Sequence, residues 1–416
     1  MRPTPPTASS RKVIAAWASF DFAHSSFAGI MATFVFPLYF KKVIVGNSHG
    51  DAYWGFTLAA SMLLVAVLAP PLGAMADIIR SKKRYLAILT AAAILGTAGV
   101  AFMGPGMVLP TALLFVLANF GYEGGTVFYD AFLPEISKPS TYGRVSGYGF
   151  AAGYIGSFVI LALPLLNIPA KPTFLITALF FLVFALPLFF TVPEVGNRIR
   201  IPTVTLIKRG FGELRGTFAK LRQYRNVLRF LIAFFLYNDA MLTVKSFSAV
   251  YADGTLHFTM MELALFFAMI QVIAMIGSIV FGWISDWRGP KFSIIITLYI
   301  LIAVVVAAYF TTTKGVFFGV GAVAGIALGS SQSASRSLMA RLSPQEHSAE
   351  FFGFYDGFCG KASAVIGPVI FGLLAELFGN ERPAILMLAI FFILGLILLR
   401  RVNDEKILPE RIPEFA

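Results

Sequence analysis

The chain has almost no cysteine: Cys359 is the single one in 416 residues, and it lies inside an apolar stretch. No disulfide framework can be built from it. Histidine is nearly as scarce, with His24, His49, His257 and His347 the full set. Their spacing fits no metal site and no nucleophile motif stands out, so neither a metal centre nor an enzyme is expected. A Gly-x-x-x-x-Gly-Lys-Ser/Thr phosphate loop is missing too, which argues against ATP as the drive and leaves no cofactor expected. Charged residues make up only 13% of the chain, against about 25% in soluble proteins.

Apolar residues fill that gap, at 58%. A hydropathy pass finds twelve segments long enough to span a bilayer core about 30 Å thick at about 1.5 Å per residue. They lie near 14–40, 52–76, 84–104, 107–131, 144–168 and 173–191, then 227–252, 260–284, 291–312, 315–341, 350–378 and 383–400. Met1–Lys12 is short, proline-rich and basic. The apolar run behind it is too long for a signal-peptide core and has no obvious cleavage site, so it reads as a retained first helix.

The net charge of +12 gathers in alternate loops rather than along one amphipathic face, which argues against nucleic-acid binding. Arg80, Lys82, Lys83 and Arg84 join spans 2 and 3, Lys138 and Arg144 flank the 4–5 loop, and Arg288 and Lys291 the 8–9 loop. Such an excess marks the cytoplasmic side and puts both termini there. Residues 192–226 hold eight further basic residues and read as a cytoplasmic linker between a half at 1–191 and a half at 227–416.

The halves repeat. Gly73-x-x-x-Asp77 recurs as Gly282-x-x-x-Asp286, 209 residues later, and Gly143 and Gly147 recur as Gly353 and Gly357. An offset of half the length reads as two fused copies of one helical unit.

Spans 3, 6, 9 and 12 carry no charge in their interiors, whereas spans 1, 4, 7, 10 and 11 do. Ionisable groups at that depth are costly and should face a partner or a wet cavity. Asp21 and His24 share a face of span 1, and Asn119, Glu123 and Asp130 share one of span 4. Asn238 and Asp239 lie mid-way along span 7, and Gln271 adds a polar group in span 8. Asp21, His24, Asn119, Glu123, Asn238, Asp239 and Gln271 are therefore the expected cavity lining. Its carboxylates suit a proton as coupling ion or a cationic part of a small-molecule substrate. Nearer the cytoplasm, Asp130 with Arg144 and Arg336 with Asp356 offer opposite charges on consecutive helices, as struts or as a gate.

These loops resemble the major facilitator superfamily: Gly282, Asp286, Gly289 and Lys291 match its signature, as do Gly73, Asp77 and Lys82, with Arg80 where a glycine is usual and Arg288 before Gly289. Phe20-Asp21-Phe-Ala-His24-Ser25, Gly121-Tyr-Glu-Gly-Gly, Phe235-Leu-Tyr-Asn-Asp239 and Glu350-Phe-Phe-Gly-Phe-Tyr-Asp-Gly357 narrow the likeness. They are similar to the autophagy-related, vacuolar amino-acid effluxer-like family in its bacterial form. The resemblance implies an all-α membrane protein of twelve transmembrane helices in two pseudo-symmetric halves, set in a bacterial inner membrane. It also implies Asp77 docked at the start of helix 11 and Asp286 at the start of helix 5. The expected function is secondary transport of a small polar, amino-acid-like solute, with export favoured and proton coupling. A multidrug-type exporter, or a non-transporting receptor or scaffold docking through 192–226, are the alternatives.

Overall fold

The computed structural model describes residues 10–194 except 48, then 199, 201, 202, 204–210 and 212, and 224–404 except 365, 379 and 380. Among these residues the protein is helical throughout, with no strand. Twelve helical passes run in chain order: α1 (Arg11–Val45), α2 (Gly50–Ile79), α3 (Lys82–Val100), α4 (Val108–Asp130), α5 (Tyr142–Leu165) and α6 (Ala170–Thr191) make the first half. The second half has α7 (Arg225–Gly254), α8 (Met260–Arg288), α9 (Pro290–Phe310), α10 (Lys314–Leu342), α11 and α12 (Glu381–Arg400). The pass α11 is built in pieces: Ser348–Phe352, a π-helical stretch Gly353–Cys359, Gly360–Ala362, and Ile366–Phe378 after a break.

Ten of the helices are long and apolar enough to cross a membrane by length and composition, among the described residues. The polar face of α4 and the interruption of α11 keep those two from the set. Where no water can satisfy the backbone, a broken helix persists only inside the protein or beside a cavity. Large apolar side chains such as Phe56, Leu109 and Phe190 stand exposed, as a lipid-facing surface requires.

Local signals set the ends. The α8 start is a capping box, in which Glu262 N–H donates to Thr259 Oγ1 at 3.3 Å and Thr259 N–H donates to Glu262 Oε2 at 2.7 Å. Gly289 closes α8 at φ +96°, a conformation that suits glycine.

The halves meet along two glycine-lined seams, α5 against α8 and α2 against α11. Gly147 packs on the Ser278 carbonyl and Gly143 on Gly282, while Gly73 lies on Ala349 and Gly353 on Ala69 and Pro70. A side chain at any of these glycines would meet backbone, so the close approach depends on their absence. The central segment 192–226 lies largely outside the described residues. Within its described part, Ile199 N–H donates to the Ile79 carbonyl at 3.1 Å, and Leu206 packs with Met75 and Ile79 at the end of α2.

Candidate functional site

Both signature loops end a helix on the N-terminus of a helix in the other half. Asp77, at the end of α2, accepts from the backbone N–H of Glu350 at 2.9 Å and of Ala349 at 3.3 Å, where α11 begins. Asp286, at the end of α8, accepts from Gly143 N–H at 2.8 Å and Arg144 N–H at 3.2 Å, where α5 begins. Unpaired N–H groups and the helix dipole both favour an anion there. Each aspartate also has a cation: Arg144 Nε lies 2.5 Å from Asp286, and Lys82 Nζ 3.8 Å from Asp77. Lys82 bridges further, to Glu135 and to Ser348 of the other half, both at 2.5 Å.

Deeper in, Arg336 of α10 is the hub. Its Nη1 lies 2.8 Å from Asp130 of α4 and 3.3 Å from Asp21 of α1, while Nε and Nη2 donate to the side chain and backbone of Ser146 of α5. Arg336 is 2% exposed, and its guanidinium stacks against Phe150 and Trp17. A planar five-donor fork can satisfy so many acceptors at once where a lysine cannot. The expected pairs of Asp130 with Arg144 and Arg336 with Asp356 are thus replaced: each arginine reaches into the opposite half, and the Asp356 Oδ2 is buried without a hydrogen-bond partner. Consecutive helices in sequence are not the ones that face each other across this seam.

About two turns beyond Asp130 along α4, Glu123 meets Lys361 of α11 at 2.5 Å. These polar links between the halves gather toward the end that carries the signature loops, and Glu123–Lys361 is the innermost of them. That end of the molecule is shut.

The remaining expected lining residues are spread more widely. His24 is buried, with Nε2 2.8 Å from the Tyr122 carbonyl and 3.1 Å from Thr126 Oγ1, and its ring stacks on Tyr122. It joins α1 to α4 inside the first half. Asn119 donates to Ser61 of α2 at 2.9 Å. Asn238 and Asp239 of α7 both turn to α11, at Ser363 (2.8 Å) and Gly367 (2.9 Å). Gln271 is half-buried on α8.

A family model described as "Vacuole effluxer Atg22 like" matches residues 45–411. The chain belongs to this family. Among curated relatives of this Atg22-like chain, the uncharacterized MFS-type transporter YxiO of Bacillus subtilis is 32% identical over 408 residues, covering 94% of each chain. Autophagy-related protein 22 of Yarrowia lipolytica is 24% identical over 444 residues, covering 84% of this chain and 75% of the relative. Among solved structures, the major facilitator FucP in its outward conformation aligns with TM-score 0.76 at 16% identity, over 94% of this chain and all of the other. A bacterial homologue of the iron transporter ferroportin, in an outward-facing state, aligns with TM-score 0.72 at 14% identity, over 94% of this chain and 99% of its own. At such identities these structures show the shared fold alone. The protein is a multi-pass membrane transporter of the major facilitator superfamily and not an enzyme.

Arg80, where this superfamily signature usually has glycine, ends α2 at φ +52°. The position asks for glycine by backbone geometry, and here an arginine takes that conformation. Arg288 stacks on Trp287 and Phe292 beside the second loop. Lys361 is a further functional residue, outside the expected set; the signal for it is a lysine at mid-membrane depth, which calls for a partner.

Proposed function

We propose that this Atg22-like protein moves a small zwitterionic solute, an amino acid or close relative, by alternating access between its two halves. The observation that carries this reading is the Glu123–Lys361 pair, 2.5 Å apart and joining the halves at the inner limit of the closed contacts. An α-amino acid carries an ammonium and a carboxylate on one carbon, which complement Glu123 and Lys361 respectively. A solute bound there would exchange its own charges for those of the pair, so binding and separation of the halves draw on the same contacts. Of the other expected lining groups, Asp21 joins Arg336 at the same seam, His24 and Asn119 bond within the first half, Asn238 and Asp239 bond within the second, and Gln271 is half-buried on α8.

The shut end holds both basic signature loops, which supports assigning it to the cytoplasm with both termini. Residues 1–191 and 227–416 are then the moving units and 192–226 their cytoplasmic link. A proton is the favoured coupling ion, because Asp21 and Asp130 share Arg336 and Glu123 meets Lys361 along the seam between the halves, and ionisable side chains at membrane depth commonly mark proton relays. Export is the favoured direction by family likeness.

The test is ligand-dependent thermal stabilisation of the purified protein across amino acids, dipeptides, sugars and cationic drugs. A ligand that binds only the folded state raises Tm by mass action. Stabilisation by amino acids that disappears in Glu123→Gln and Lys361→Met supports the reading. A response confined to sugars or cationic drugs, or one indifferent to both substitutions, contradicts it.

A further inference from the structure

Asp239 stands apart from the charged cluster between the halves. It is fully buried in α7, and its two carboxylate oxygens have unlike surroundings. Oδ1 accepts the Gly367 N–H at 2.9 Å, at the start of the α11 segment Ile366–Phe378. Oδ2 is buried with no hydrogen-bond partner. Asp21 and Asp130 share Arg336 and Glu123 has Lys361, but among the described residues no lysine or arginine pairs with Asp239. Lys245 follows six residues along α7, roughly 9 Å farther on and about 120° round the helix, on another face. A buried carboxylate without a counter-charge is costly, and such groups are normally paired or coordinate a metal.

The surroundings favour a cation. Thr243 Oγ1 donates its proton to the Asp239 carbonyl at 2.8 Å, so its lone pairs stay free. A Cβ at Gly367 would stand 2.9 and 3.0 Å from the two Asp239 oxygens, and closer still to Thr243 Oγ1. Three hard oxygens thus converge on a backbone position that has no side chain. Next to it, Asn238 donates to Ser363 at 2.8 Å, and Ser363 donates to the Gly360 carbonyl at 3.1 Å. Residues 238 and 239 therefore hold the two sides of the break in α11. Breaks of this kind at membrane depth are where coupling ions lodge in transporters built from other folds.

We propose that Asp239 Oδ2 and Thr243 Oγ1 hold a monovalent cation of sodium size at the break in α11, tying that helix to α7. One carboxylate supplies one negative charge, which suits a monovalent ion. A divalent ion asks for more acidic ligands, and no group of three His, Cys, Asp or Glu side chains with metal-site geometry occurs among the described residues. The site lies within the second half, so it does not depend on the Glu123–Lys361 reading.

The experiment uses the purified full-length protein with no organic solute. Melting is followed while NaCl replaces choline chloride or KCl at constant ionic strength, at pH 6 and pH 8. The proposal expects a saturable, sodium-specific rise in Tm at both pH values. That rise is lost in Asp239→Asn and in Gly367→Ala, whose methyl group would displace Thr243 Oγ1 and crowd the Asp239 carboxylate, and kept in Lys245→Gln. Equal Tm in sodium and choline for the folded wild type overturns it. So does stabilisation by low pH alone with no difference between cations, which makes the counter-charge a proton, and so does loss of the response in Lys245→Gln. Should Asp239→Asn fail to fold, the wild-type titration and Gly367→Ala decide the matter. Because no solute is present, the result is independent of whether amino acids are transported.

Discussion

Arg336 in the second half lies 2.8 Å from Asp130 in the first, and this pair is the centre of the closed arrangement. The same guanidinium reaches Asp21 and Ser146, so one residue of α10 ties together α1, α4 and α5. Opening of this end must separate these groups or carry them as a unit. The pair is almost fully withdrawn from solvent, with side-chain exposures of 3% and 5%.

Replacing Arg336 therefore leaves two buried acids, Asp130 and Asp21, without their counter-charge. Arg336→Met is expected to cost about 3–5 kcal/mol, the usual penalty for breaking a buried pair from one side. Arg336→Lys recovers part of it, since a lysine restores the charge without the fork that grips Ser146. Thermal unfolding of the purified variants reads both effects, and an unchanged Tm in Arg336→Met would refute the role given to this hub.

The glycine seam between α5 and α8 gives a second expectation. A side chain at Gly147 runs into the Ser278 carbonyl, so Gly147→Val should push the halves apart at the loop end. Spin labels at Lys138→Cys and Glu346→Cys report this, because both positions are exposed, in loops of opposite halves. Cys359→Ser removes the one native thiol. The distance distribution should gain a longer component in Gly147→Val and stay narrow without it.

Asp77 and Asp286 anchor the two loops on helix N-termini of the other half. Neutralising either aspartate weakens a charge-assisted contact, by about 1–2 kcal/mol each. Asp77→Asn and Asp286→Asn should thus each lower the ratio of closed to open molecules roughly 5–30-fold. The two effects should add in the double variant, since the sites share no partner. The same label pair measures it; a double variant no more open than either single one would mean that the loops act as one unit.

Arg80 predicts a gain rather than a loss. Its positive φ is a conformation that L-residues adopt at a cost of about 1–2 kcal/mol. Arg80→Gly should therefore stabilise the protein, by about 1 kcal/mol once the added chain entropy is counted. Differential scanning of the two proteins is sufficient, and a lower Tm for Arg80→Gly would show that the arginine side chain makes a compensating contact.

Much of this architecture could be read from the sequence, for identifiable reasons. Hydropathy and loop charge mark the helices, because lipid demands apolar segments and leaves few other ways to satisfy the backbone. The half-length offset between Gly73 and Gly282 marks the duplication, and the docking of Asp77 and Asp286 onto α11 and α5 follows the resemblance these loops carry. The partners of the deeper charges were not legible. Arg336 pairs with Asp130 and Asp21 rather than Asp356, and Arg144 with Asp286 rather than Asp130, because the facing helices are 200 or more residues apart in two cases and 142 apart in the third. Periodicity fixes a face on one helix but not which helix stands opposite. Lys361 was hidden for a related reason: it follows the π-helical stretch Gly353–Cys359, where regular helical spacing no longer predicts which way a side chain points.

The most direct test of the account is counterflow in proteoliposomes loaded with unlabelled amino acids, with labelled amino acid outside. Wild-type protein should accumulate label transiently, and Glu123→Gln and Lys361→Met should each lose it while remaining folded, since each leaves one half of the zwitterion unrecognised. Accumulation undiminished in both variants would contradict the claim that this pair receives the solute.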